Sequence, residues 1–267
     1  MGDLANAVDL IGYAKAAGVN TVKFQYFDPY KMCTEYATHY WEGQIRNLRE
    51  LYKEAYTPKI WFPALIREAR HHELKFQVSV FDPSDIEFFE DLGVDSYKIA
   101  SPEADWEDLI TAVASTGKPT TISTGCLSRD QFIRKYMWER PFKDLTVLHC
   151  ISKYPSEPED CNMRTVQDLS ELCGDIYKVG ISNHCPYPLT SIVAVTLGAR
   201  AIEMHLKLHD DYDNEVSLDS KFSLDSTEFM RMVYQCKEAL KSIGTIKYGN
   251  PNHPLKRKLI DGKMFRK

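Results

Sequence analysis

Short apolar or β-branched runs recur along the chain, each followed by a longer stretch of helical periodicity. The strands that this pattern predicts are TVKFQY (21–26), KFQVSV (75–80), SYKIA (96–100), PTTIS (119–123), LTVLH (145–149), YKVGI (177–181) and RAIEM (200–204). Between them lie amphipathic segments such as DIEFFEDLG, WEDLITAVASTG and PLTSIVAVTLGA. Three of these close on Gly93, Gly117 and Gly198, where helices commonly end on a left-handed residue. Strands alternating with helices imply βαβ units and a parallel sheet. The strands start about 20 to 32 residues apart, with one longer interval after the first. That rhythm predicts an α/β fold of the TIM type, a (β/α)8 barrel of roughly 250 residues. A doubly wound open sheet is the rival, but its Gly-rich dinucleotide fingerprint is missing from the sequence.

Seven strands are visible, and the first element is a helix, LANAVDLIGYAKAAG (4–18). A closed barrel expects a strand before that helix, so the expected architecture is a barrel truncated at its N-terminus. An open barrel exposes two strand edges and apolar interior. The gap is expected to be covered by oligomerisation, as a homo-oligomer, or by the tail, whose KRKLIDGKMF has short apolar stretches. Residues 1–243 are assigned to the barrel and 244–267 to a basic tail, which carries seven Lys/Arg against one Asp.

Composition narrows the function classes. No apolar run approaches the length of a membrane span, about 18 residues or more. The N-terminus MGDLANAVDL lacks the basic flank and apolar core of a signal peptide. Seven cysteines without any C-x-x-C pair suit a reduced, cytoplasmic protein. A net charge of −5 argues against nucleic acid as the main partner.

In barrel enzymes the chemistry gathers where strands finish. Read there, the first strand supplies Lys23 and Gln25, the second Ser79, and the third Lys98 with Ser101 and Glu103 just beyond. The fourth ends in Ser123, the fifth runs into Ser152 and Tyr154, and the last two bring Ser182, Asn183, His184, Glu203 and His205. Singly, each has an ordinary explanation: a rim lysine, a hydrogen-bonded structural histidine, a strand-ending hydroxyl. Seven consecutive strands with polar residues at one end are harder to explain by packing. Lys23 and Lys98 with Ser101, Ser123 and Ser182 are what a phosphate or carboxylate needs, point charges plus hydroxyl donors. His184 and His205, on neighbouring strands, suit one divalent metal with coordination positions left open for a Lewis-acid site. Glu103 and Glu203 are candidate acid/base or hydroxyl-orienting groups.

In this order, the motifs VKFQ, YKIASPE, STG, HCISKYP, GISNH and IEMH resemble the sialic acid synthase family, over about residues 3 to 240. The resemblance implies a cytoplasmic enzyme that joins phosphoenolpyruvate to an N-acetylated amino sugar such as N-acetylmannosamine. The product is a nine-carbon 2-keto acid, phosphate leaves, and a divalent metal, Mn²⁺ or Mg²⁺, takes part. It places phosphoenolpyruvate on Lys23, Ser79, Lys98, Ser101, Ser123, Ser152 and Ser182. Gln25, Glu103, Tyr154 and Glu203 fall near the reacting centre, His184 and His205 on the metal, and Asp219, in SLDSKFSLD, near both metal and sugar.

Four departures qualify that picture. The family's opening strand and glutamate-bearing loop, and its C-terminal antifreeze-like domain, are expected to be missing. Pro102 stands where the family has Gly, which is expected to reshape the loop at Ser101. Asn183 stands for an Asp, which is expected to remove a partner that could orient a histidine ligand. VSVF stands for STPF, keeping one hydroxyl, Ser79. The alternatives are therefore a related synthase with another acceptor sugar, or an impaired barrel that binds phosphoenolpyruvate-like ligands or partners a full-length synthase.

Overall fold

The computed structural model describes residues 3–41, 43–208, 218–249, 257–260 and 263–266. Eight parallel strands form one curled sheet, in the order Thr21–Tyr26, Lys75–Val80, Ser96–Ile99, Thr120–Ser123, Leu145–Cys150, Lys178–Asn183, Ala201–Leu206 and Ser223–Leu224. All seven expected strands are present. Two of them run further than their apolar stretches, because pairing continues past the change to polar side chains: Ser182 lies beside Glu203 and Asn183 beside Met204.

The eighth strand departs from expectation. It follows the seventh instead of preceding the first helix, and it is two residues long, with Ser223 beside His205 and Leu224 beside Leu206. Among the described residues no pairing joins Thr21–Tyr26 to Ala201–Leu206, so the sheet is a half-barrel open along these edges. A cavity of about 870 Å³ fills the interior and reaches this opening, walled there by Ile11 and Ala14 of helix Leu4–Ala16 and by Phe229 and Met232 of helix Ser226–Ile243. The tail does not add to the sheet: Arg257–Ile260 and Lys263–Arg266 pair antiparallel with each other. Residues 250–256, 261, 262 and 267 of the tail lie outside the described residues.

Alternation along each strand builds the core and the site together, since successive side chains leave opposite faces. Phe76, Val78, Val80, Tyr97, Ile99, Ile122, Val147 and Ile181 are fully or almost fully buried in the main apolar core. Phe62, Phe76 and Phe89 join Tyr26 there in edge-to-face ring contacts, each full burial stabilising by roughly 1.5–3 kcal/mol. The intervening residues carry the polar groups, in register: Lys23 beside Gln77, Gln25 beside Ser79, Ser79 beside Lys98. Gly93 ends the helix Ile86–Leu92 at φ 68°, the left-handed conformation its position called for. The long interval after the first strand is filled by helix Pro29–Met32, a hairpin of Thr38–Trp41 with Gln44–Asn47, and helices Leu48–Ala55 and Phe62–His71.

Candidate active site

Three side chains set the electrostatics of the interior. Glu203 Oε1 stands 3.0 Å from Lys23 Nζ and 3.7 Å from Lys98 Nζ, and accepts a hydrogen bond of 2.8 Å from Ser182 Oγ. Burial opposes ionisation of Glu203, yet the two ammonium groups and the Ser182 hydroxyl hold its carboxyl well below the usual range. Lys98 is 2% exposed, a condition lysine tolerates only with partners. Burial pushes its pKa down to about 8 against the pull of Glu203. Its ammonium also donates to Ser123 Oγ at 2.5 Å and to the Ile99 carbonyl at 3.3 Å. Two cations share one carboxylate, which leaves a positive surplus for an anion.

Beside Lys98 lies a cradle. Ser101 Oγ accepts from the Gly125 N–H at 3.1 Å. A Cβ on Gly125 would stand 2.6 Å from Ser152 Oγ and 2.9 Å from Ser101 Oγ, so glycine is what lets these two hydroxyls converge. Pro102 fits this turn without disturbing it. It occupies the first turn of a short 3₁₀ helix, Ser101–Glu103, where its missing N–H is not needed.

His184 and His205 face each other across 5.3 Å between ring centres, with Phe222 packed edge-on against both, at 5.8 and 4.9 Å, and Tyr154 lying 4.3 Å from the His184 ring. Burial, and then the neighbouring His205, push the His184 pKa down to about 4, so it is neutral at physiological pH, as a metal ligand must be. With its proton on Nδ1, donated to the Ile151 carbonyl at 3.2 Å, Nε2 keeps a free lone pair. Asp219 Oδ2 lies 3.3 Å from His205 Nδ1, a carboxylate–imidazole contact of the kind that orients ligating histidines. Among the described residues no set of three or more His, Cys, Asp or Glu side chains is arranged to hold a metal ion. Two facing imidazoles with a carboxylate behind one of them nonetheless suit a divalent cation that keeps open positions.

Asn183 does not do what its position next to His184 suggested. Strand alternation turns it away from the interior, where it donates to Thr190 Oγ1 at 2.7 Å and Ser191 Oγ at 3.2 Å and accepts from Cys185 N at 3.0 Å. It ties the strand end to the helix Pro188–Thr196 and touches neither histidine. Glu103 sits at the end of the third strand with Oε2 buried and without a hydrogen-bond partner. Burial pushes its carboxyl up to about 7, against a lowering influence of Lys98. Gln25 and Glu203 both line the central cavity, and Ser79 is buried between the strands that carry Gln25 and Lys98.

Lys23, Lys98, Ser123, Ser182 and Glu203 are brought together by direct contacts, and so are His184, His205, Tyr154 and Asp219; Asn183 joins neither group. The sequence reading passed over Phe222, the wall against both histidines, and Tyr52, whose ring packs 5.3 Å from Phe27 above the first strand. Neither carries a motif. Gly125 was visible in STG, but its steric role was not.

Residues 10–248 match the NeuB family. The chain belongs to that family. It is 32% identical to a pseudaminic acid synthase of Campylobacter jejuni over 271 residues, covering 99% of this chain and 78% of the relative. It is 34% identical to a pseudaminic acid synthase of Helicobacter pylori over 251 residues, covering 91% and 72%. Among solved structures, an N-acetylneuraminic acid (sialic acid) synthetase of Leptospira borgpetersenii superposes with a TM-score of 0.81 at 24% identity, covering 94% of this chain and 84% of that one; that likeness shows the fold. Synthases of the NeuB family condense phosphoenolpyruvate with amino sugars and are generally metal-dependent, and this member is a sialic acid synthase-like transferase. No helix among the described residues is long and apolar enough to cross a membrane.

Proposed function

We propose that the chain condenses phosphoenolpyruvate with an N-acetylated amino sugar of the N-acetylmannosamine type, forming a nine-carbon 2-keto sugar acid and releasing phosphate. The observation that supports this reading is the pair of lysines sharing the Glu203 carboxylate, beside the facing rings of His184 and His205. Lys23 and Lys98 neutralise the phosphate and carboxylate of phosphoenolpyruvate, while Ser101, Ser123, Ser152 and the Gly125 N–H supply donors. Glu203, ionised throughout the physiological range, acts as the counter-ion that holds both lysines in place rather than as a proton shuttle. Ser182 is committed to it. Held by His184 and His205, with Asp219 orienting the second, a divalent cation would supply Lewis acidity toward the aldehyde oxygen of the open-chain sugar.

The chain's own residues then handle charge and protons. As the enol carbon joins the aldehyde carbon, the aldehyde oxygen gains negative charge and takes up a proton. Glu103, half-protonated near pH 7 and with a free buried oxygen, is placed to give it. Water adds at the former enol carbon and returns a proton to the ionised Glu103; the C–O bond to phosphate then breaks as that carbon becomes the ketone, its hydroxyl proton leaving with the phosphate, which still faces Lys98. Tyr154 and Phe222 cover the histidine pair and limit water there.

The test is phosphate release from phosphoenolpyruvate with Mn²⁺, with and without N-acetylmannosamine, in the parent and in His184→Ala. Release that requires the sugar and disappears in the variant supports the reading. Sugar-independent release, or release equal in the variant, overturns it. A second expectation concerns the cradle. Gly125→Ala should lower the melting temperature by a few degrees, since the two serine hydroxyls can rotate away while the Cys150 carbonyl, 3.0 Å from the new Cβ, must give slightly. Losing two or three charge-assisted hydrogen bonds should raise the KM for phosphoenolpyruvate by about 10- to 100-fold. Steady-state titration of that substrate checks this, and an unchanged KM would show that the phosphate sits elsewhere.

A further inference from the structure

A histidine can hold a cation only if its ring is aimed, and the residue before His184 reaches past it to the chain beyond. Asn183 is buried, and its side-chain amide is directed entirely at the segment that follows. Oδ1 accepts the Cys185 N–H at 3.0 Å, two residues on, which closes an Asx turn around His184. Nδ2 donates to Thr190 Oγ1 at 2.7 Å and to Ser191 Oγ at 3.2 Å, both buried in the first turn of the helix Pro188–Thr196. The Thr190 hydroxyl passes its own hydrogen to the Tyr187 carbonyl at 2.8 Å, and the Thr190 N–H meets the same carbonyl at 3.2 Å. Strand end, turn and helix start are thus one hydrogen-bonded unit that contains His184.

The far side of the histidine is fixed as well, since its carbonyl accepts from the Ser156 N–H at 3.1 Å. With the backbone held on both sides, Nδ1 meets the Ile151 carbonyl at 3.2 Å, and the ring packs on Tyr154 and Phe222. That hydrogen bond sets the tautomer and leaves Nε2 with its lone pair. The Asn183 side chain leaves the opposite face of the strand from the site, so its influence on the ring passes through the main chain.

We propose that Asn183 is a positioning residue for His184: its turn onto Cys185 sets the histidine backbone so that Nδ1 reaches Ile151 and Nε2 stays open for a cation. The cation rests on the condensation reading; the aiming of the ring does not. The bond to Cys185 does the aiming, while the bonds to Thr190 and Ser191 anchor the helix. Asn183→Ala and the space-filling Asn183→Leu lose both functions. Asn183→Asp keeps an acceptor for Cys185 but, ionised, has no hydrogen to give, so the Thr190 hydroxyl must turn from Tyr187 to meet it. Thr190→Val removes the anchor and leaves the turn.

Two-bond proton–nitrogen correlation NMR on metal-free protein, isotope-labelled at histidine, reads the ring directly, with the His184 signals assigned by their loss in His184→Gln. The parent should show one tautomer, protonated on Nδ1. In Asn183→Ala and Asn183→Leu the two ring nitrogens should average. Their dissociation constant for Mn²⁺, read from the paramagnetic resonance of the free ion, should rise about 10- to 100-fold, the scale for residues that orient a ligand from behind. Asn183→Asp and Thr190→Val should melt earlier yet keep the tautomer, with Mn²⁺ affinity changed by less than about tenfold, short of that scale. An unchanged His184 signal in Asn183→Leu overturns the proposal, because a residue that merely stabilises would lower the melting temperature without moving the ring. Averaging in Asn183→Asp, or in the parent itself, overturns it too. If the ring responds as expected and the parent binds no Mn²⁺, the positioning role stands and the metal reading of the histidine pair falls.

Discussion

Glu203→Gln should be the most damaging single change in the protein, lowering turnover at least a hundredfold and stability by about 3 kcal/mol, the scale expected when one partner of a buried ion pair is removed. The wild-type carboxylate answers two ammonium groups at 3.0 and 3.7 Å, and one of them, on Lys98, is almost wholly buried. Glutamine keeps the shape and the Ser182 contact but no charge, so Lys23 and Lys98 repel each other unopposed. Lys98, already pushed down to about 8 by burial, should then lose its proton near neutrality and with it the attraction for phosphate. The linkage sign follows from the depressed carboxyl. A group whose folded pKa lies below its unfolded value, here an ordinary 4.5, contributes stability above that value and loses it as pH falls. Urea titrations at pH 7 and at successive steps well below pH 4.5 should show a gap between parent and variant that narrows as the pH falls. A gap that is constant with pH would mean Glu203 acts through packing alone.

The legible part of this molecule was the part governed by strand alternation. Lys23, Lys98, Glu203 and His205 are polar residues inside apolar strands, and the period of two puts them on the inner face whatever the loops do. The histidine pair could be read because its two strands are adjacent in both sequence and sheet. Contacts made by residues that carry no pattern were not legible. Phe222 reaches both histidines from a short 3₁₀ turn after the last long strand, and Tyr52 packs on Phe27 from a helix inside an aperiodic excursion. The counter-ion role of Glu203 depends on two lysines, Lys23 and Lys98, that lie six and four strands away along the sheet order, a distance the sequence does not express. Position 183 shows another limit: an Asp there was read as a partner that could orient a histidine, whereas the pleat sends the side chains of Asn183 and His184 to different partners.

Glu103→Gln should separate charge handling from binding. In the parent, the rate with saturating substrates should fall as pH rises through about 7, because burial holds the carboxyl partly protonated there and the acid form gives the proton to the new hydroxyl. The groups that bear on it are its own backbone N–H and Lys98, both of which lower its pKa against the effect of burial. Bound phosphoenolpyruvate adds negative charge nearby, so the limb in kcat should lie above the limb in kcat/KM. Glutamine cannot deliver the proton. The variant should therefore be slower by on the order of a thousandfold, with a flat profile from pH 6 to 8 and nearly unchanged phosphoenolpyruvate affinity. Stability should move the other way. A carboxyl whose folded pKa is raised contributes stability below pH 4.5 that is lost as pH climbs through 7, so the variant should lack that decline. A pH–rate profile that keeps its limb in Glu103→Gln would assign the proton to another group, and a collapse of phosphoenolpyruvate binding would move Glu103 into the cradle.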